Sequence, residues 1–78
     1  MRATLKEIFV GEIGLNPDDF TDDLAYNSVP EWDSASHMII VLAIEEEFNI
    51  ALESDDVVGM TTIKKICRIL EDKGVAVD

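Results

Sequence analysis

Glu31-Trp32-Asp33-Ser34-Ala35-Ser36-His37-Met38-Ile39-Ile40-Val41-Leu42-Ala43-Ile44-Glu45-Glu46-Glu47-Phe48-Asn49-Ile50 is the stretch that decides the fold. Asp33 and Ser34 supply capping side chains, the interior is rich in Ile, Leu, Ala and Met, and Asn49 supplies a stop. The spacing therefore predicts a helix over 34–48. At about 100° per residue, His37, Ile40, Val41, Ile44 and Phe48 share one continuous face wide enough to be a core face. Ala35, Met38, Ile39 and Leu42 form a second apolar arc, with Glu46 inside it and Glu45 beside it. A well-covered central helix can bury both arcs. The other reading is an exposed apolar patch rimmed by acids, which marks a partner surface, and the two glutamates favour it.

Outward from this helix the pattern stays helical. Leu5, Ile8, Phe9 and Ile13 recur at helical spacing and Gly14 follows as a stop, which predicts an amphipathic helix over 3–13. From Gly14 to Asp33 the punctuation changes to Asn16-Pro17-Asp18-Asp19, Asp22-Asp23, Asn27-Ser28 and Pro30. Leu15, Phe20, Leu24, Tyr26, Val29 and Trp32 are scattered through it as apolar anchors, so it reads as a long pinned loop, and such loops tend to be functional. Residues 53–59 read as a short helical turn. Thr61 or Thr62 caps a last helix with Ile63, Ile66, Cys67 and Leu70 on one stripe, ending near Lys73-Gly74. No alternating strand pattern appears. The expected fold is all-α, a small bundle of three main helices plus one short helix, with a long loop between the first and second helices, forming a single domain over 1–78.

Seventeen Asp plus Glu against six Lys plus Arg give a net charge of −11. Nucleic-acid and membrane-surface binders need the opposite sign, so both are excluded as partners. Between Glu7 and Ile63 there is no Lys or Arg, and 14 of the 17 acids fall there, so the expected protein partners are basic. With 47% hydrophobic residues the chain is expected to fold rather than stay disordered. A chain this short buries only about 60–65% of its unfolded surface, which leaves little room for an enclosed active site and argues against an enzyme. The single Cys67 permits no internal disulfide. The first residues lack a signal-peptide apolar region, and no apolar run approaches the roughly 18 residues of a membrane span. A cytoplasmic protein, monomeric, is the expectation.

Ser34, at the first turn of a helix and the end of a long loop, is well placed to carry a phosphate ester, because the helix start offers free N–H groups and a favourable dipole. A serine cap is the plainer explanation of the same residue. Asp33, Ser34 and His37 suggest a hydrolytic triad, but three residues in one helical turn offer no oxyanion hole or substrate cleft, so His37 is expected to be packed or hydrogen-bonded. Asp18, Asp19, Asp22 and Asp23 lack calcium-loop spacing and are expected to be solvated; no metal site is expected. Cys67 is expected to be a buried structural thiol, and Lys64, Lys65 and Arg68 a solvated face.

The Asp33-Ser34 helix opening and the Ile44-Glu45-Glu46-Glu47-Phe48-Asn49 ending closely resemble the modification-site helix of acyl carrier proteins. The resemblance covers the whole chain: its length, its acidity, the long first loop, the short helix around Ser54–Val58 and the Thr61-Thr62-Ile63 entry to the last helix. It implies that Ser34 is the attachment point of 4′-phosphopantetheine, transferred from coenzyme A by a basic, magnesium-dependent carrier-protein synthase (phosphopantetheinyl transferase). The arm's thiol would then carry acyl groups as thioesters among acyl-loading and acyl-processing enzymes with basic surfaces. By the family pattern Asp33 would sit beside the synthase's metal and help orient Ser34.

Two positions depart from that pattern. Ala35 replaces the family's leucine after the serine, and Ile39 stands where many members carry an acid. Ala35 removes apolar area where a synthase grips, which bears on the efficiency of modification and the choice of synthase, and Ile39 makes the partner face more apolar, which points to dedicated partners. Trp32 before the Asp-Ser pair resembles discrete carriers of specialised pathways, and the expected pathway is fatty-acid, polyketide, nonribosomal-peptide or polysaccharide related. The expected partner face comprises Met38, Ile39 and Leu42, with Asp33, Glu45, Glu46, Glu53, Asp55 and Asp56 as its acids. The competing function is an unmodified acidic helical interaction module in which Ser34 is only a cap.

Overall fold

The computed structural model describes residues 2–76, so Met1, Val77 and Asp78 of the expected 1–78 domain lie outside the described residues. Four helices follow in order: α1 (Arg2–Ile13), α2 (Ser34–Phe48), α3 (Ser54–Gly59) and α4 (Ile63–Asp72). No strand occurs among the described residues, and the architecture is the all-α bundle that the periodicity predicts.

Each helix end has a local cause. Gly14 takes a left-handed φ of 71°, which a side chain would strain, and it turns the chain so that the Leu15 N–H returns to the Phe9 carbonyl at 3.3 Å. Asn49 does the same for α2 at φ 54°, and the Ile50 N–H closes onto the Glu45 carbonyl at 3.2 Å. At the start of α2 the cap is Asp33 alone, whose carboxylate accepts from the Ser36 N–H at 2.9 Å. Ser34 is the first helical residue.

The loop from Gly14 to Asp33 is more ordered than its turn residues suggest. Pro17–Asp19 forms one 3-10 turn, and Ala25 pairs with Thr62 in an isolated antiparallel bridge. Around that bridge the Tyr26 N–H donates to the Thr61 carbonyl at 2.8 Å, Ile63 to Leu24 at 3.1 Å and Lys64 to Asp22 at 3.1 Å. Thr62 Oγ1 accepts from the Lys65 N–H at 3.1 Å. The first three N–H groups of α4, which no helix can satisfy internally, are thus paired by the loop and by one threonine.

The core takes Leu5, Ile8 and Phe9 from α1, Ile40, Val41 and Ile44 from α2, and Ile63, Ile66, Cys67 and Leu70 from α4. Leu15, Leu24 and Trp32 enter it from the loop and Met60 from the turn after α3. Trp32 is completely buried and meets Phe9 edge-on at 5.0 Å between ring centres. Tyr26 does not join as an anchor: it is 37% exposed, its ring edge-on to Trp32 at 6.1 Å. The smaller expectations are met at Cys67, which is buried with its thiol pushed up by that burial, and at Lys64, Lys65 and Arg68, which are exposed. Asp22 is not simply solvated, because it pairs with Arg2 at 2.6 Å.

Candidate functional site

The start of α2 presents Ser34 to solvent. Its hydroxyl has no hydrogen-bond partner among the described residues, whereas Ser28 is tied to the Ala25 backbone and the Ser36 hydroxyl donates to Asp33. A free, exposed hydroxyl at the first turn of a helix is sterically open to an incoming phosphorus centre. The adjacent N–H groups and the helix dipole favour the negative charge of the resulting ester. This chemistry fits a phosphodiester-linked arm.

Asp33 is held below the ordinary aspartate pKa by hydrogen bonds from Ser36, first its backbone N–H and then its hydroxyl. Asp56 is likewise lowered, by Lys73 Nζ at 2.9 Å and by the Glu53 N–H at 3.0 Å. A depressed folded-state value means the stabilisation is fully present above the unfolded value and is lost as pH falls through the folded one. The bundle is expected to lose stability on acidification below about pH 4. Asp33→Asn, which can still cap, should change little at neutral pH but flatten that decline. Unfolding midpoints measured from pH 7 to 2 check this; an unchanged acid slope in the variant would contradict it.

Burial decides between the two readings of α2. Ile40, Val41 and Ile44 are buried, with His37 and Phe48 half-buried beside them, so this is the core face. Met38 is 49% exposed, Ile39 44% and Leu42 61%, with Ala35 exposed as well. The second arc is therefore a surface patch that starts one turn from Ser34.

The expected acids divide into two groups. Glu46, Glu53 and Asp55 are exposed, as is Asp33. Glu45 is half-buried and its Oε2 accepts from the Leu52 N–H at 2.9 Å, while Asp56 is bound to Lys73 and to the Glu53 backbone. Both tie α3 and its approach to neighbouring helices. One surface residue escaped the sequence reading: Val58, 77% exposed on α3. The Val57-Val58 pair was the available signal, but a six-residue helix is too short for periodicity to say which valine points out.

His37 is hydrogen-bonded on both ring nitrogens. Trp32 Nε1–H donates to Nδ1 at 3.0 Å, and Nε2 lies 3.0 Å from the Val57 carbonyl. Half-buried and bonded on both sides, it is the packed histidine expected.

Comparison with known proteins shows the family. A family described as "Phosphopantetheine attachment site" matches residues 3–70. The acyl carrier protein of Bdellovibrio bacteriovorus is 29% identical over 72 residues, 92% of each chain. That of Wolinella succinogenes is 25% identical over 67 residues, 86% of this chain and 88% of the relative. The chain belongs to the phosphopantetheine-attachment family of acyl carrier proteins, whose cofactor is covalently attached 4′-phosphopantetheine.

Proposed function

We propose that Ser34 is the attachment residue and that this single domain carries acyl groups as thioesters on the arm it holds. The observation that carries the assignment is the exposed Ser34 hydroxyl, unpartnered among the described residues, at the first turn of α2 and beside an exposed apolar arc. Ser54 is also exposed, but it opens a six-residue helix with no buried residue and has no aspartate before it.

In transfer from coenzyme A, Ser34 Oγ bonds to the pantetheine-side phosphorus as the pyrophosphate P–O bond breaks, adenosine 3′,5′-bisphosphate leaves, and the serine proton passes to the synthase. The chain itself supplies position rather than a base, which is the sense in which it is a carrier and not a catalyst. Asp33 lies next to the acceptor hydroxyl with its carboxylate kept ionised, suited to a metal ion brought by the synthase. Met38, Ile39 and Leu42 dock on apolar surface of the synthase and of the loading and processing enzymes. Glu46, Glu53 and Asp55 meet their basic rims. Val58 extends this face, and Glu45 and Asp56 add charge while holding α3 in place. Exposed Ala35 and Ile39 support dedicated partners in a specialised biosynthetic pathway, and the reading places the protein in the cytoplasm.

Intact-mass measurement after incubation with coenzyme A and several carrier-protein synthases tests this. One phosphopantetheine is expected per chain, located at Ser34 by fragmentation. No gain with any synthase would favour the unmodified interaction module, and a gain on Ser54 would move the site.

A further inference from the structure

The exposed apolar surface is shared by two helices that are joined in an unusual way. Met38, Ile39 and Leu42 lie on α2, and Val58 lies on α3. None of the six residues of α3 is fully buried, and its apolar hold on the core is the half-buried Val57 beside Val58. Polar tethers add to that contact. Asp56 is held by Lys73 at the end of α4, and the approach to α3 is held by Glu45 through the Leu52 N–H. Between α2 and the body of α3 a hydrogen bond runs from His37 Nε2 to the Val57 carbonyl, immediately before Val58.

The direction of that bond follows from its neighbour. An indole N–H can only donate, so His37 Nδ1 must be the bare, accepting nitrogen toward Trp32. The single proton of the neutral ring is then on Nε2, which donates to the Val57 carbonyl. Trp32 is completely buried and its ring is also edge-on to Phe9 of α1, so its N–H is a fixed reference for the imidazole. His37 is further enclosed by Tyr26, whose ring centre lies 5.1 Å away. Trp32, His37 and Val57 thus form a directed relay from the core across α2 to α3.

We propose that His37 is a positioning residue for partner docking: it sets the placement of Val58 and the α3 acids relative to the α2 apolar arc. This deepens the docking face argued above and rests on it. This role goes beyond the stability that its bond to Trp32 contributes, because α1, α2 and α4 pack through apolar residues that His37 does not supply.

The test compares the parent with His37→Leu, His37→Gln and Leu42→Glu, using coenzyme A and one synthase that modifies the parent. His37→Leu removes both the acceptor and the donor. His37→Gln keeps one of each at similar separation. His37→Leu is expected to raise KM for the carrier about three- to tenfold, the worth of one net hydrogen bond, with kcat within about twofold. His37→Gln should return most of that loss. Leu42→Glu should raise KM independently, because it strikes the face itself. If Leu42→Glu raises KM and His37→Leu does not, the positioning role is wrong while the docking face stands. If neither raises it, the face is wrong.

Nitrogen-15 NMR of the parent supplies a measurement that needs no variant to fold. A neutral His37 ring protonated on Nε2 is expected, and a ring protonated on Nδ1 would overturn the relay.

Discussion

Ser34→Ala is expected to give a folded chain that gains no phosphopantetheine mass from coenzyme A under any synthase that modifies the parent. The effect on modification should be complete, because the other serines near the helix openings are differently placed. The Ser36 hydroxyl is committed to Asp33, and Ser28 is tied to the Ala25 backbone. The effect on stability should be small. Ser34 is exposed, its side chain caps nothing, and alanine is the better helix former, so the change should stay within about 0.5 kcal/mol. The Asp33 cap reaches Ser36, not Ser34, and survives the substitution. Ser54→Ala, the matching control, should be modified like the parent. Intact mass together with a denaturation curve reads both quantities. A mass gain that persists in Ser34→Ala would move the attachment elsewhere, and a collapse of its stability would mean that Ser34 has a structural role the hydroxyl's free state does not show.

That contrast between a free and a committed side chain marks how far the sequence could be read. The ends of α2 were legible because they depend on neighbours in the chain: Asp33 caps three residues ahead, and Asn49 turns left-handed to stop the helix. The two apolar arcs of α2 were legible as arcs, since a helix places residues at fixed angles. Which arc is buried depends on what α1 and the loop cover, and only Glu46 within the second arc and Glu45 beside it pointed the right way. Glu45 and Asp56 show the same limit. Nothing local separates them from Glu46 and Asp55, yet one accepts from the Leu52 N–H and the other from Lys73, partners brought in by the return of the chain. The relay through His37 was hidden for that reason too. A histidine one turn after an Asp-Ser pair suggested chemistry, and its real partners are a tryptophan five residues back and a carbonyl twenty residues on.

Buried Leu15, Leu24 and Trp32 pin the loop before α2, and the strongest of these pins sets the second large effect. Trp32→Ala is expected to cost about 3–5 kcal/mol, the range for deleting a fully buried aromatic side chain. A chain of this length has only about 4–12 kcal/mol of stability in total, so the variant should lose a quarter or more of it and unfold at a much lower urea concentration than the parent. Three losses combine. The cavity left by the indole would strip Phe9 of its edge-on partner, Tyr26 would lose the ring it leans on, and His37 Nδ1 would lose its donor. Trp32→Phe separates them, because it keeps much of the volume and the aromatic contact while removing the N–H. Its cost should be smaller, about 1–3 kcal/mol. Trp32 is the chain's one tryptophan, so its own fluorescence cannot report on these variants, and urea unfolding followed by circular dichroism is the suitable measurement. The expected order of stability is parent, Trp32→Phe, Trp32→Ala. A Trp32→Ala chain within about 1 kcal/mol of the parent would mean that the loop is held by its hydrogen bonds to α4 rather than by the indole, and that the start of α2 is positioned from that side.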